Sequence, residues 1–268
     1  MLSIWVLVFF SILTTAVYRI ISTQLKLARV LEERAVCPYL AKAAFLYAWA
    51  EKQEKKTGYD SLAELQQLRQ RAMGNAKFTY TQSDEESKIN INTASSEILA
   101  RLPGLNLELA QKILVSPLRP FTLKEGLLSI EDLTEKEFAE FKDFITVYGN
   151  GSVNINTAPE QVLIALGMDE NLAQGIVEFR NGPDDQKGTE DDEVFENSSE
   201  IIDKLRAALG FSGAEETTLV QLISQNLLTV SSKNLLLQIQ TQILGKPGIR
   251  YLIMMDAEKG KIKQWKEY

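Results

Sequence analysis

The chain opens on an uninterrupted apolar stretch: from Met1 to Tyr18 no residue carries a charge. At about 1.5 Å per residue, a helix of that length covers about 27 Å, enough to cross the hydrocarbon of a bilayer. Past Arg19 the helical pattern continues without the small-residue cleavage site of a signal peptide. Leu25, Ala28, Leu31 and Ala35 recur every three to four residues, with Lys26, Arg29, Glu32, Glu33 and Arg34 between them. No glycine occurs before Gly58, and the single proline in this region, Pro38, marks where a kink would fall. The pattern predicts one continuous helix over residues 1–56, first membrane-spanning and then amphipathic.

At the other end the period changes to two. Leu227, Thr229 and Ser231, then Leu235, Leu237, Ile239 and Thr241, share one face of an extended chain. Ile249–Met255 and Lys261–Trp265 follow, joined across Asp256 to Gly260, and predict an antiparallel meander of three strands. Lys77–Thr81 predicts a further strand upstream. Strands on both sides of a helical stretch make that stretch an insertion. The expected organisation is an α/β domain from residues 57–88 and 227–268, with an inserted helical domain over 89–226.

Inside the insertion one element occurs twice. Asn90-Ile91-Asn92-Thr93-Ala94 leads into a helix with Leu99 and Leu102, and Asn154-Ile155-Asn156-Thr157-Ala158 into one with Leu163 and Leu166. Asn92 or Thr93, and Asn156 or Thr157, are the expected N-caps, with Pro159 suited to a first turn. Gly104 and Gly167 permit a tight turn into the second helices, Leu109–Ile113 and Leu172–Ile176. Each copy is a helix-hairpin-helix unit. Such units often bind nucleic-acid backbone through hairpin amides, with a second glycine that lets phosphate approach. Here Asn106 and Asp169 stand at that place, and Glu108 and Glu170 add negative charge. The units therefore predict packing modules and no nucleic-acid partner.

Composition narrows the chemistry. A net charge of −7 repels polyanions. The chain has no histidine, which removes the commonest general base and zinc ligand, and no enzymatic activity is expected. Cys37 is the only cysteine, so no internal disulfide can form. The four cations Arg19, Lys26, Arg29 and Arg34 follow the span, and the positive-inside rule alone would place that side in the cytoplasm. A basic leader ahead of the span would reverse that orientation.

The remaining feature is an acidic loop, with acids at 184, 185 and 190–193 facing only Lys187. A Ca²⁺ ion would relieve their repulsion, drawing on Asp184, Asp185, Thr189, Asp191, Asp192 and Glu193. The spacing is not that of an EF-hand, and a solvated acidic surface is the other reading it leaves open.

Taken in order, the anchor Ile4–Val8 with Leu31–Arg34, the two Asn-Ile-Asn-Thr-Ala segments, Gly188–Asp192 and Gln264–Glu267 resemble the general secretion pathway protein K family, the large minor pseudopilin of type II secretion. The resemblance implies an α+β fold: a long N-terminal helix, a pilin-like domain with an antiparallel sheet, and an inserted all-α region. It implies a structural role at the tip of the pseudopilus, where initiation of filament assembly supports protein export. The implied partners are minor pseudopilins of the I and J types, the bacterial inner membrane and, if a leader exists, prepilin peptidase. It implies a single pass, with the globular part in the periplasm and calcium at the acidic loop. The family's larger helical insertion, with a Trp-Ile-Asp-like stretch, has no counterpart between these repeats. A membrane-tethered DNA-uptake protein would explain the anchor and the repeats but calls for basic hairpins. A membrane-bound carboxylate hydrolase would need two acids in a cleft.

Overall fold

The computed structural model describes residues 2–189, 191–210 and 212–268. Helix α1 runs unbroken from Leu2 to Glu54 with Pro38 inside it. After α2 (Leu62–Gln66) come β1 (Arg69–Met73) and β2 (Ala76–Asp84). A helical region follows, with β3 (Ile89–Asn90), α3 (Ser96–Ala100), α4 (Leu107–Val115), α5 (Glu135–Phe141) and β4 (Ile145–Thr146). It continues through β5 (Val153–Asn154), α6 (Glu160–Ala165), α7 (Glu170–Arg180), α8 (Ile201–Leu209), α9 (Gly213–Ser224) and β6 (Leu228–Thr229). The chain closes with β7 (Asn234–Ile243), β8 (Lys246–Asp256) and β9 (Lys261–Glu267).

Strands β1-β2-β7-β8-β9 form one antiparallel sheet, in that order. The expected three-stranded meander is β7 to β9, and the strand at Lys77–Thr81 is the middle of β2. Leu228–Thr229 does not join the meander: it pairs in parallel with β5. Strand β1 carried no sequence signal because its side chains, Arg69-Gln70-Arg71-Ala72-Met73, lie almost wholly in solvent at the sheet edge. Alternation arises only where one face is buried.

One face of the sheet packs on α1. The buried helix stripe is Cys37, Leu40, Ala41, Ala44, Phe45 and Ala48, set against Phe78, Tyr80, Leu237, Ile239, Tyr251 and Ile253. The three alanines bring the backbone close to the sheet, and a fully buried Leu or Phe in such a layer contributes about 1.5–3 kcal/mol. The stripe expected from sequence, Leu25, Ala28, Leu31 and Ala35, is exposed instead. Its spacing is helical, but the sheet does not cover it. Ser3 to Tyr18 likewise forms no part of either core.

A second hydrophobic cluster, running in sequence from Ile89 to Val230, belongs to the helices. Its largest fully buried side chains include Phe141, Phe195, Ile91 and Ile155. Each half of this cluster is closed by a two-residue parallel pairing, β3 with β4 and β5 with β6.

Candidate functional site

The paired Asn-Ile-Asn segments build the same local frame twice. In the first, the Asn90 side chain accepts from Asn92 N–H (2.9 Å) and donates to the carbonyls of Tyr148 and Gly149. In the second, Asn154 accepts from Asn156 N–H (3.0 Å). The second asparagine of each segment then grips a distant phenylalanine, Asn92 holding Phe121 and Asn156 holding Phe195 through their main chains. The asparagines and threonines expected as N-caps are therefore not caps. Ser95 caps α3 and Pro159 occupies the N-cap of α6, because Asn92 and Asn156 are committed to long-range bonds.

Both hairpin tips are covered from within the chain. Gly104 adopts φ +74°, and a Cβ there would stand 2.8 Å from the Glu140 carboxylate of α5. Gly167 adopts φ +108°, and its Cβ position lies 3.1 Å from Arg101 Nη1, contributed by the first unit. Asn106 and Asp169, which replace the second hairpin glycine, are N-caps, accepting from Leu109 and Leu172 N–H at 2.9 Å each. A phosphate approaching the first hairpin meets Glu140, so the local field opposes it.

The helical region is fastened to the sheet through acids at the end of β2. Asp84 Oδ2 accepts from Asn154 (2.9 Å), Ser232 (2.5 Å) and Thr157 (2.5 Å), while Oδ1 takes Glu86 N–H. Glu86 accepts from Lys233 N–H (3.0 Å) and from Asn234 through its backbone (2.9 Å) and side chain (2.6 Å). Glu85 takes Thr146 Oγ1 (2.6 Å) and pairs with Lys88. Burial pushes the carboxyls of Asp84 and Glu86 up, that of Glu86 to about 7. At Asp60 burial acts in the same direction, but Lys52 (2.5 Å) and Lys55 (3.0 Å) outweigh it and hold the carboxyl below its ordinary value. Sequence reasoning missed this junction, since three acids in a row ordinarily read as solvated surface. Their clue was the position, directly after a strand with alternating burial.

In the acidic loop, four of the six expected ligands converge. The Thr189 hydroxyl lies 2.9 Å from Asp191, 3.0 Å from Asp192 and 3.5 Å from Asp184. Asp192 also accepts from Gly188 N–H (2.8 Å) and Thr189 N–H (3.2 Å). Asp185 turns toward Asn181, and Glu193 enters through its backbone, donating to the Arg180 carbonyl (3.0 Å). The Arg180 guanidinium is buried, donates to the Ile155 carbonyl (2.5 Å) and feels Asp192, while burial pushes it down to about 10. Hard oxygens suit Ca²⁺. Among the described residues, which exclude Glu190, no three acids form a ready-made metal ligand set.

Comparison with known proteins agrees with these two halves of the molecule. Residues 84–146 match a model of the helix-hairpin-helix motif. The zebrafish (Danio rerio) protein named "Endonuclease/exonuclease/phosphatase family domain-containing protein 1" is 30% identical over 145 residues, 45% of this chain. The match spans 26% of that relative, about a quarter of its length. A chain of the GspK-GspI-GspJ complex from the enterotoxigenic Escherichia coli type 2 secretion system superposes with a TM-score of 0.58 at 15% identity. That likeness covers 92% of this chain and 99% of the other. The fold is pseudopilin-like. It is an α+β body carrying a long apolar N-terminal helix and an inserted helical region.

Proposed function

We propose that the protein is a structural minor pseudopilin of the K type, seated at the tip of a type II secretion pseudopilus. The observation that carries this reading is the near end-to-end likeness of its fold to a chain of the minor pseudopilin complex. The apolar half of α1 serves as a single-pass inner-membrane anchor, and the body from about Lys56 onward lies in the periplasm. Partners of the I and J types bind this chain, and the assembly initiates the filament through which export proceeds. No step of that role requires catalysis. The carboxyls with raised affinity for protons, Asp84 and Glu86, are engaged in hydrogen bonds that join the sheet to the helices.

Ca²⁺ at the acidic loop belongs to the same reading. Asp184, Asp191 and Asp192 surround a hydroxyl that has one proton to donate, and a cation would supply the missing positive charge. Buried Arg180 meets part of that need at Asp192.

Two measurements test the proposal. Crosslinking in intact cells followed by purification and mass spectrometry should recover other pseudopilin chains. A reporter active only in the periplasm, fused after Tyr268, should be active. Recovery of nucleic acid and nuclease subunits instead, with a silent reporter, would overturn it.

A further inference from the structure

The turn between β7 and β8 returns to α1 at a particular level. Arg29 Nη2 donates to the Pro247 carbonyl (3.2 Å), fixing the hairpin against the helix. Between them lies a groove of about 320 Å³ lined by Tyr18, Ile21, Leu25, Lys26, Arg29 and Lys246. Along α1 these residues pass from wholly apolar to basic, with a tyrosine at the change, which is the pattern of a helix leaving hydrocarbon for headgroups. Arg29 shares its charge with Glu33 (2.6 Å). Among the described residues, Arg19, Lys26 and Lys246 have no carboxylate partner within ion-pair distance.

The hairpin tip itself is unusual for a surface turn. Leu244 is 63% exposed and holds φ +49°, a left-handed conformation that a leucine adopts at a cost and that asparagine tolerates far better. Its N–H bonds the carbonyl of Asn75 (2.9 Å), so the β1–β2 turn lies beside it and adds half-exposed Met73 at the same end of the sheet. Two apolar tips and a set of cations thus face one way, toward the apolar part of α1.

We propose that this end of the sheet rests on the bilayer: Leu244 enters the interfacial layer, and Lys26, Lys246 and Arg29 hold the phosphate of an anionic phospholipid. The proposal rests on α1 being a membrane anchor. It gives the cations after the span a task other than setting topology, and it fixes the body at a defined height and rotation about α1. Each lysine near an anionic surface strengthens contact about fivefold.

The test uses the full chain in nanodiscs, with a nitroxide at Leu244→Cys; native Cys37 is fully buried and escapes labelling. In discs containing phosphatidylglycerol, the label should be shielded from a water-soluble relaxation agent relative to phosphatidylcholine discs. Lys26→Gln with Lys246→Gln should weaken the contact about 25-fold, returning the label to its exposure in phosphatidylcholine. A label at Ser11→Cys reports the anchor, and one at Val220→Cys reports open solvent. If the Leu244→Cys label stays as exposed as the one at Val220→Cys while Ser11→Cys is in lipid, the proposal falls and the anchor stands. If Ser11→Cys is also in water, both fall. Shielding by inorganic phosphate in phosphatidylcholine discs would make this a free-anion site and overturn the lipid assignment.

Discussion

Asn156 and Phe195 hold each other in both directions across 39 residues: the asparagine amide donates to the Phe195 carbonyl, and the Phe195 N–H donates back, each at 2.9 Å. This reciprocal clasp is what a strand partner would provide, supplied by one side chain. Replacing Asn156 with Ala leaves two buried main-chain groups without partners, and each such group costs about 1–3 kcal/mol. Asn156→Ala should therefore lower the urea midpoint strongly. Asn92→Ala should lower it less, because Asn92 is half-buried where it clasps Phe121. Equal, negligible shifts in both variants would show that water replaces the clasps.

Glu86 makes stability depend on pH. The folded chain keeps its proton to about 7, whereas the unfolded chain releases it near the ordinary 4.5. Stability should fall as pH rises through that window, by roughly 3 kcal/mol from this group, and level off above it. Asp60 acts oppositely: its stabilisation is present above its ordinary value of 3.8 and is lost as pH drops below it. Denaturant titrations of Glu86→Gln should show a flatter profile between pH 4.5 and 7 than wild type. An unchanged slope would remove Glu86 as its source.

The covered hairpins predict no measurable binding of duplex DNA by the full chain in detergent, even at low salt. A micromolar affinity that weakens steeply with salt would reverse the assignment of the repeats as packing units. Gly104→Ala should destabilise by about 1–2 kcal/mol, since the new methyl meets Glu140 in a left-handed backbone.

Calcium should raise the melting temperature of chelator-stripped protein, and Mg²⁺ should raise it less, because it demands tighter octahedral geometry. At a hundredfold excess over Kd the gain is about 2.7 kcal/mol. Asp191→Asn with Asp192→Asn should abolish the shift. Identical melts of the wild type with and without millimolar Ca²⁺ would leave the loop a solvated acidic surface.

What the sequence determined by itself was local and periodic. The apolar run to Tyr18, the duplicated Asn-Ile-Asn-Thr-Ala units, the turns at Gly104 and Gly167 and the alternation from Leu235 onward each follow from spacing within a few residues. Tertiary structure alone decided which helical stripe is buried, because Leu25–Ala35 and Cys37–Ala48 have equal claims until a sheet covers one of them. It also turned Asp84, Glu85 and Glu86 from apparent surface charge into the junction between sheet and helices. Their donors, Thr146, Asn154, Thr157, Ser232 and Asn234, lie 61 to 148 residues away. A buried charge is tolerated only where such donors converge, and convergence from distant segments is a property of the folded chain that no local pattern encodes.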